Sequence, residues 1–108
     1  MNVADDGSHA EFFRRLEFSN SVYEIEAIKR AAYRFSDRVS VEILPGAEVT
    51  VCRLLPVTPA AKKHLDEIVE DFRTEALDQD LRLKVSKETE ATRNLILSLA
   101  FSKTGLQG

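Results

Sequence analysis

Apolar residues alternate, then fall into helical spacing, then alternate again along this chain. From Phe12 to Phe18, the residues Phe12, Leu16 and Phe18 share one face and Arg15, Glu17 and Ser19 the other, which predicts a strand that Arg14 interrupts. Ser21-Val22-Tyr23-Glu24 has the spacing of a capping box, with the Ser21 hydroxyl accepting from the amide three residues on and Glu24 reaching back. Ile25, Ile28, Ala32 and Phe35 then recur at helical intervals while Lys29, Arg30 and Arg34 turn outward. A helix is expected from about 22–25 to Ser36, its stripe packed on a sheet. Val39, Val41 and Ile43 alternate with Ser40 and Glu42 as a half-buried strand. Pro45-Gly46 predicts a turn in which Gly46 takes a positive φ. That twist suits tight hairpins poorly, so a loop of more than two residues is expected. The return strand, about 48–54, places Val49 and Val51 on one face and Thr50 and Cys52 on the other.

Thr58 then stands as an N-cap, with Pro59 at the first helical position, where its missing N–H costs nothing. Ala61, Leu65, Ile68, Val69, Phe72 and Ala76 form one stripe, with Glu67, Asp71, Glu75 and Asp78 on the opposite side. After that the stripe moves. Leu77, Leu81 and Val85, continued by Leu95, Ile96, Leu99 and Ala100, lie well round the helix at ~100° per residue. Either the chain turns near residues 86–90, or one long helix carries a second apolar face that needs a partner. A helix of ~45 residues is unusual in a globular domain, so the break is the expectation. Positions 81, 85, 88, 92, 95 and 99 keep heptad spacing, although Glu88 and Thr92 interrupt the seam.

The order is therefore β-α-β-β-α-α. It predicts an α+β fold with a three-stranded antiparallel sheet, a ferredoxin-like arrangement lacking the fourth strand. A right-handed crossover would join the first two strands and the third would slot between them. The missing strand leaves sheet edges with which another chain could pair. Met1 to Ala10 is polar and aperiodic, which predicts a loose tail over 1–11 and a single domain over 12–108.

Composition narrows the classes. A hydrophobic share of 44% and a charged share of 31% over 108 residues are enough for one core without disulfide or metal staples. The net charge of −3, with both signs interspersed, argues against nucleic acid as a partner. No apolar run approaches the ~20 residues of a membrane span, and the first residues lack a signal-peptide pattern. With Cys52 as its single cysteine, the chain is expected in the cytoplasm.

Chemistry is sparse. Cys52 would need a base, yet neither His9 in the tail nor His64 at a helix start is placed by sequence to meet it. No tight cluster of zinc ligands occurs, and no Gly-rich loop joins a strand to a helix. Tyr23 and Tyr33 are too scattered for base stacking. No catalytic, cofactor or metal site is expected. The segment that stands out runs from Asp78 to Arg82 and on through Glu88-Thr89-Glu90 to Arg93-Asn94-Leu95-Ile96. It mixes charged and amide groups with an apolar line, as contact surfaces do. The expected partner-binding residues are Asp78, Leu81, Arg82, Val85, Arg93, Asn94, Leu95 and Leu99. The plainer alternative is ion pairing along the helix, with Asp78 and Arg82 at i,i+4.

Three runs in order resemble the HxsD family, small proteins of the His-Xaa-Ser repeat systems. They are Glu26-Ala27-Ile28 through Ala31-Ala32-Tyr33-Arg34-Phe35-Ser36-Asp37-Arg38, then Leu77-Asp78-Gln79-Asp80-Leu81-Arg82, then Arg93-Asn94-Leu95-Ile96-Leu97 through Ala100-Phe101-Ser102-Lys103. The likeness covers residues 16 to 104. Within the family's Leu-Leu-Asn-Asp-Tyr-x-Leu-Arg-Glu pattern, Asp78, Leu81 and Arg82 fit, whereas Leu77, Gln79 and Leu83 depart. The resemblance implies a place beside two radical S-adenosylmethionine enzymes and a short substrate protein carrying His-Xaa-Ser repeats. The enzymes would hold the iron–sulfur clusters, which a chain with one cysteine cannot. Two expectations follow. One is a non-catalytic accessory protein that binds the substrate peptide or a partner enzyme. The alternative is a structural homodimer that buries Leu81, Val85, Leu95 and Leu99 against a copy of itself.

Overall fold

The computed structural model describes the backbone of residues 12–107 and the side chains as far as Ala100. The tail expected over 1–11, with His9, lies outside the described residues. Six elements follow one another: β1 (Arg14–Ser19), α1 (Ile25–Arg34), β2 (Val39–Pro45), β3 (Val49–Pro56), α2 (Pro59–Lys63) and α3 (Leu65–Gln107). The fold is α+β, with a three-stranded sheet in the order β1-β3-β2. Both outer strands run antiparallel to β3, so the third strand does lie between the first two.

Register follows the alternation. Leu16 and Ile43 flank Cys52, Phe18 pairs with Thr50, and Val41 pairs with Leu54. This puts Leu16, Phe18, Thr50, Cys52 and Leu54 on the buried face. Ile28 and Ala31 of α1, Phe35 just past its end, and Leu65, Ile68, Val69, Phe72 and Ala76 of α3 cover it. Phe72 is at the centre, edge-on to Phe35 at 5.5 Å and to Phe18 at 6.1 Å between ring centroids, a favourable aromatic geometry.

Four local expectations are corrected. The Ser21–Glu24 capping box does not form: Ser21 Oγ instead meets Ser19 Oγ at 2.8 Å, and α1 begins at Ile25 with no side-chain cap from Glu24. The Glu24 amide donates across the domain to Asp80 at 2.8 Å, so a carboxylate of α3 replaces the local cap. The stripe of α1 is also rotated. Ala27 and Ala31 are buried with Ile28, while Ile25 is exposed. Gly46 has no positive φ. The loop is longer than two residues, as expected, but glycine is needed there for space, since a Cβ would sit 2.6 Å from the Val49 carbonyl oxygen.

The last correction matters most. Thr58 caps α2 as expected, its Oγ1 accepting from the Ala61 amide at 3.0 Å. The expected turn near 86–90 is absent, and the only interruption falls at His64, between α2 and α3. The count of elements therefore matches β-α-β-β-α-α, but the last helix is a single rod of 43 residues. Residues 86–90 contain neither glycine nor proline, so nothing in the backbone stops propagation there. At ~1.5 Å per residue the rod is about 65 Å long, and it sets the long axis of a 76 × 29 × 19 Å molecule.

Candidate protein-docking surface

The inner face of α3 carries the core stripe through Phe72 and Ala76 and extends it to Asp80 and Leu83. Asp80 is only 1% exposed. Its carboxylate accepts from the Glu24 amide at 2.8 Å and is paired with Lys84. The Lys84 ammonium also donates to the Val22 carbonyl at 2.7 Å, and Lys87 pairs with the Glu24 carboxylate. Burial alone would raise the pKa of Asp80. The Glu24 amide, the Lys84 hydrogen bond and the charges of Lys84 and Lys87 outweigh it and hold the group below the ordinary carboxylate value. This cluster ties α3 to the start of α1 in the rotation that the buried stripe from Leu65 to Leu83 sets. From Lys84 to Ala100 every side chain is exposed.

With the rotation fixed, the second stripe falls on the side of α3 away from the core, because Leu81 is about half a turn round from Phe72 at ~100° per residue. Leu81, Val85, Leu95 and Leu99 share that line and are 53%, 59%, 60% and 62% exposed. Asp78 and Arg82 stand beside its start, joined by an ion pair of 2.7 Å. Arg93 lies on one flank, in a shallow groove with Glu88, Thr92, Ile96 and Leu97. Asn94 is not brought together with the others, since on an unbroken helix it faces the core side. The residues missed in the sequence are Asp80, Lys84 and Lys87. The available signal was that 72, 76, 80 and 83 continue one helical line, which put an acid where the core stripe required burial.

Elsewhere, β1 and β2 each pair on one side, with β3. Cys52 lies fully buried in the middle strand, and burial pushes its thiol up to about 11. His64 is at the surface, 2.9 Å from Glu67. Among the described residues, no group of three or more His, Cys, Asp or Glu is arranged to hold a metal ion, and no helix is long and apolar enough to cross a membrane.

These features define a class: a small α+β domain with a long helix whose outer half is exposed among the described residues. A family model described as His-Xaa-Ser system protein HxsD matches residues 18–107, and the chain belongs to that family. Comparison with the curated proteins and with the solved structures found no match.

Proposed function

We propose that this chain is a non-catalytic accessory protein of a His-Xaa-Ser system, acting in the cytoplasm. It binds the His-Xaa-Ser repeat peptide or the radical S-adenosylmethionine enzymes that modify it. The observation that carries this reading is the outer half of α3, whose line of Leu81, Val85, Leu95 and Leu99 has no counterpart among the described residues of the domain. Exposed apolar side chains aligned on one face and bounded by charged residues are characteristic of protein contact sites. The outer edges of β1 and β2, unpaired among the described residues, offer a second mode, in which an extended peptide adds as a strand. Family membership supplies the system in which such contacts would be made. A buried, protonated cysteine and a surface histidine paired with Glu67 leave this chain poorly equipped for bond-making.

The test is titration of labelled His-Xaa-Ser repeat protein, and separately of each enzyme, into the purified chain. Saturable binding of at least one of them below tens of micromolar is the expected result. No binding by any of them would refute the accessory role.

A further inference from the structure

The two outer strands present different edges. In an antiparallel ladder, residues whose N–H and C=O face the partner strand alternate with residues whose groups face away. The Val57 amide donates to the Arg38 carbonyl at 2.9 Å, and the register carries that phase to Ser40, Glu42 and Leu44, which bond to β3. Val41 and Ile43 therefore turn both main-chain groups outward, and among the described residues nothing meets them. Val39 turns out its carbonyl, while its amide donates to the Phe35 carbonyl at 2.9 Å. The side chains of these same three residues face the helices, with Val41 and Ile43 half-buried against the core.

A groove of about 410 Å³ runs beside that edge, between β2 and α1. Val39, Val41 and Ile43 form its apolar floor, with Lys29 and Tyr33 of α1 and Ser36 just past its end along the wall. Tyr33 is 81% exposed. Lys29 is the one charged residue in the lining among the described residues. Its basic neighbours are matched, Arg30 by Glu26 at 3.5 Å and Arg34 by Glu75 at 2.9 Å, whereas Lys29 has no carboxylate partner among the described residues.

Unpaired main-chain groups along an edge specify the backbone of what they bind: it has to be extended. Residues of an added strand that sit opposite Val41 and Ile43 point their side chains to the same face, into the groove. An apolar floor with one positive charge selects apolar side chains at alternate positions and a carboxylate beside them. Pro45 has no N–H to offer, so the site is short. The edge of β1 is unlike this. There the Asn20 amide bonds to the Glu48 carbonyl, so the outward groups belong to Arg15 and Glu17, an ion pair of 2.7 Å. Charges of this kind blunt an edge.

We infer that the edge of β2 and the groove beside α1 bind a short extended peptide, with alternate apolar side chains on the floor and a carboxylate at Lys29. This rests on the reading of the chain as an accessory binding protein, and it names the edge used and the form and charge of what is bound.

The probe is acetyl-Glu-Thr-Val-Thr-Val-Thr-Glu-amide, which presents Glu, Val, Val and Glu on one face in either direction. Titrated into the isotope-labelled full chain, it should shift the amide resonances of Val41 and Ile43 most, with a Kd of about 100 µM, as suits a small contact. N-methylation of its three central residues should abolish binding, because strand addition needs those donors. Tyr33→Ala and Lys29→Glu, both at exposed positions, should keep the fold and weaken binding, by about three- to tenfold for Lys29→Glu. Lys29→Glu should in turn prefer the probe with lysine at both ends. No shift at Val41 and Ile43 with millimolar probe overturns the inference. So does equal binding of the N-methylated probe, indifference to Lys29→Glu, or a set of shifts centred on Arg15 and Glu17. Broadening at Val41 and Ile43 that grows with protein concentration alone would put a second copy there, and overturns it too. Repeat protein and enzymes, titrated into the same samples, keep the two proposals apart. If they bind and the probe does not, the groove alone is refuted; if the probe binds and none of them does, the accessory role alone is refuted.

Discussion

Replacing Asp80 with alanine removes a buried carboxylate that accepts from the Glu24 amide at 2.8 Å. The cost has two parts. The amide at the start of α1 loses its acceptor in a part-buried site, which costs about 1–3 kcal/mol. Lys84 loses its partner too, but its side chain is 47% exposed and still reaches the Val22 carbonyl, so water takes over most of what is lost. That part adds at most ~0.5 kcal/mol. The sum is about 1–3.5 kcal/mol for Asp80→Ala. Asp80→Asn keeps an oxygen for the amide and gives up only the charge, so about 1 kcal/mol is expected. Urea denaturation followed by far-ultraviolet circular dichroism measures both, with the slope unchanged if only stability moves. Acid supplies a second reading. Because the folded carboxyl is held below its ordinary value, its contribution is fully present above about pH 4, the range of a free aspartate. It is lost as pH falls through the folded value. The gap between wild type and Asp80→Asn should therefore close below about pH 4. The reasoning fails if Asp80→Ala stays within ~0.5 kcal/mol of wild type, if Asn costs as much as Ala, or if acid widens the gap.

Three further outcomes follow from the packing. Phe72→Ala should destabilise the fold by about 3–5 kcal/mol in the same urea assay, since the ring is fully buried between Phe18 and Phe35. Gly46→Ala should cost about 1–3 kcal/mol, because the added methyl group would meet the Val49 carbonyl oxygen at 2.6 Å and backbone has to give way. The Cys52 thiol, pushed up to about 11 and fully buried, should react with a thiol reagent at pH 8 only as fast as the protein unfolds. Rapid modification without urea would contradict that placement.

The strands were legible because each buries one face, so period-two alternation had to survive into the fold: Leu16 and Phe18, and Thr50 and Cys52, land where the pattern puts them. Thr58 with Pro59 was legible because a cap and a prolyl first turn act locally. The failures are non-local. Ser21 and Glu24 have the spacing of a capping box, but the amide of Glu24 finds Asp80, 56 residues on, and a charged acceptor held by the fold outcompetes a solvated hydroxyl. In the sequence the stripe of α3 moves after Leu77 because an aspartate hides its continuation. Both stripes are present, with Asp80 and Leu83 extending the inner one and Leu81 and Val85 starting the outer. The break expected near 86–90 had a further consequence. A turn resets helical phase, so Arg93 and Asn94 could be grouped with Leu81. On a continuous helix only Leu95 and Leu99 return to that line.

The continuity of α3 follows from the filling of its inner side. Between Leu65 and Leu83 that face already covers α1 and the sheet, and Asp80, Lys84 and Lys87 close the end of the contact around Val22 and Glu24. A chain that turned at 86–90 towards the core would bring Leu95 and Leu99 back to an inner face that is already covered. It would also forfeit hydrogen bonds where no glycine or proline eases the turn. Going straight on costs less. The first turn of a helix is the expensive one, and the packed half has already formed it, so each later residue needs only to propagate. The anchored half thus does two things for the bare half: it nucleates the helix, and it sets the rotation so that Leu81, Val85, Leu95 and Leu99 face away from the domain. The display therefore rests on the core stripe from Leu65 to Ala76, which Asp80 and Leu83 extend, because a helix free to roll would turn the same leucines inward.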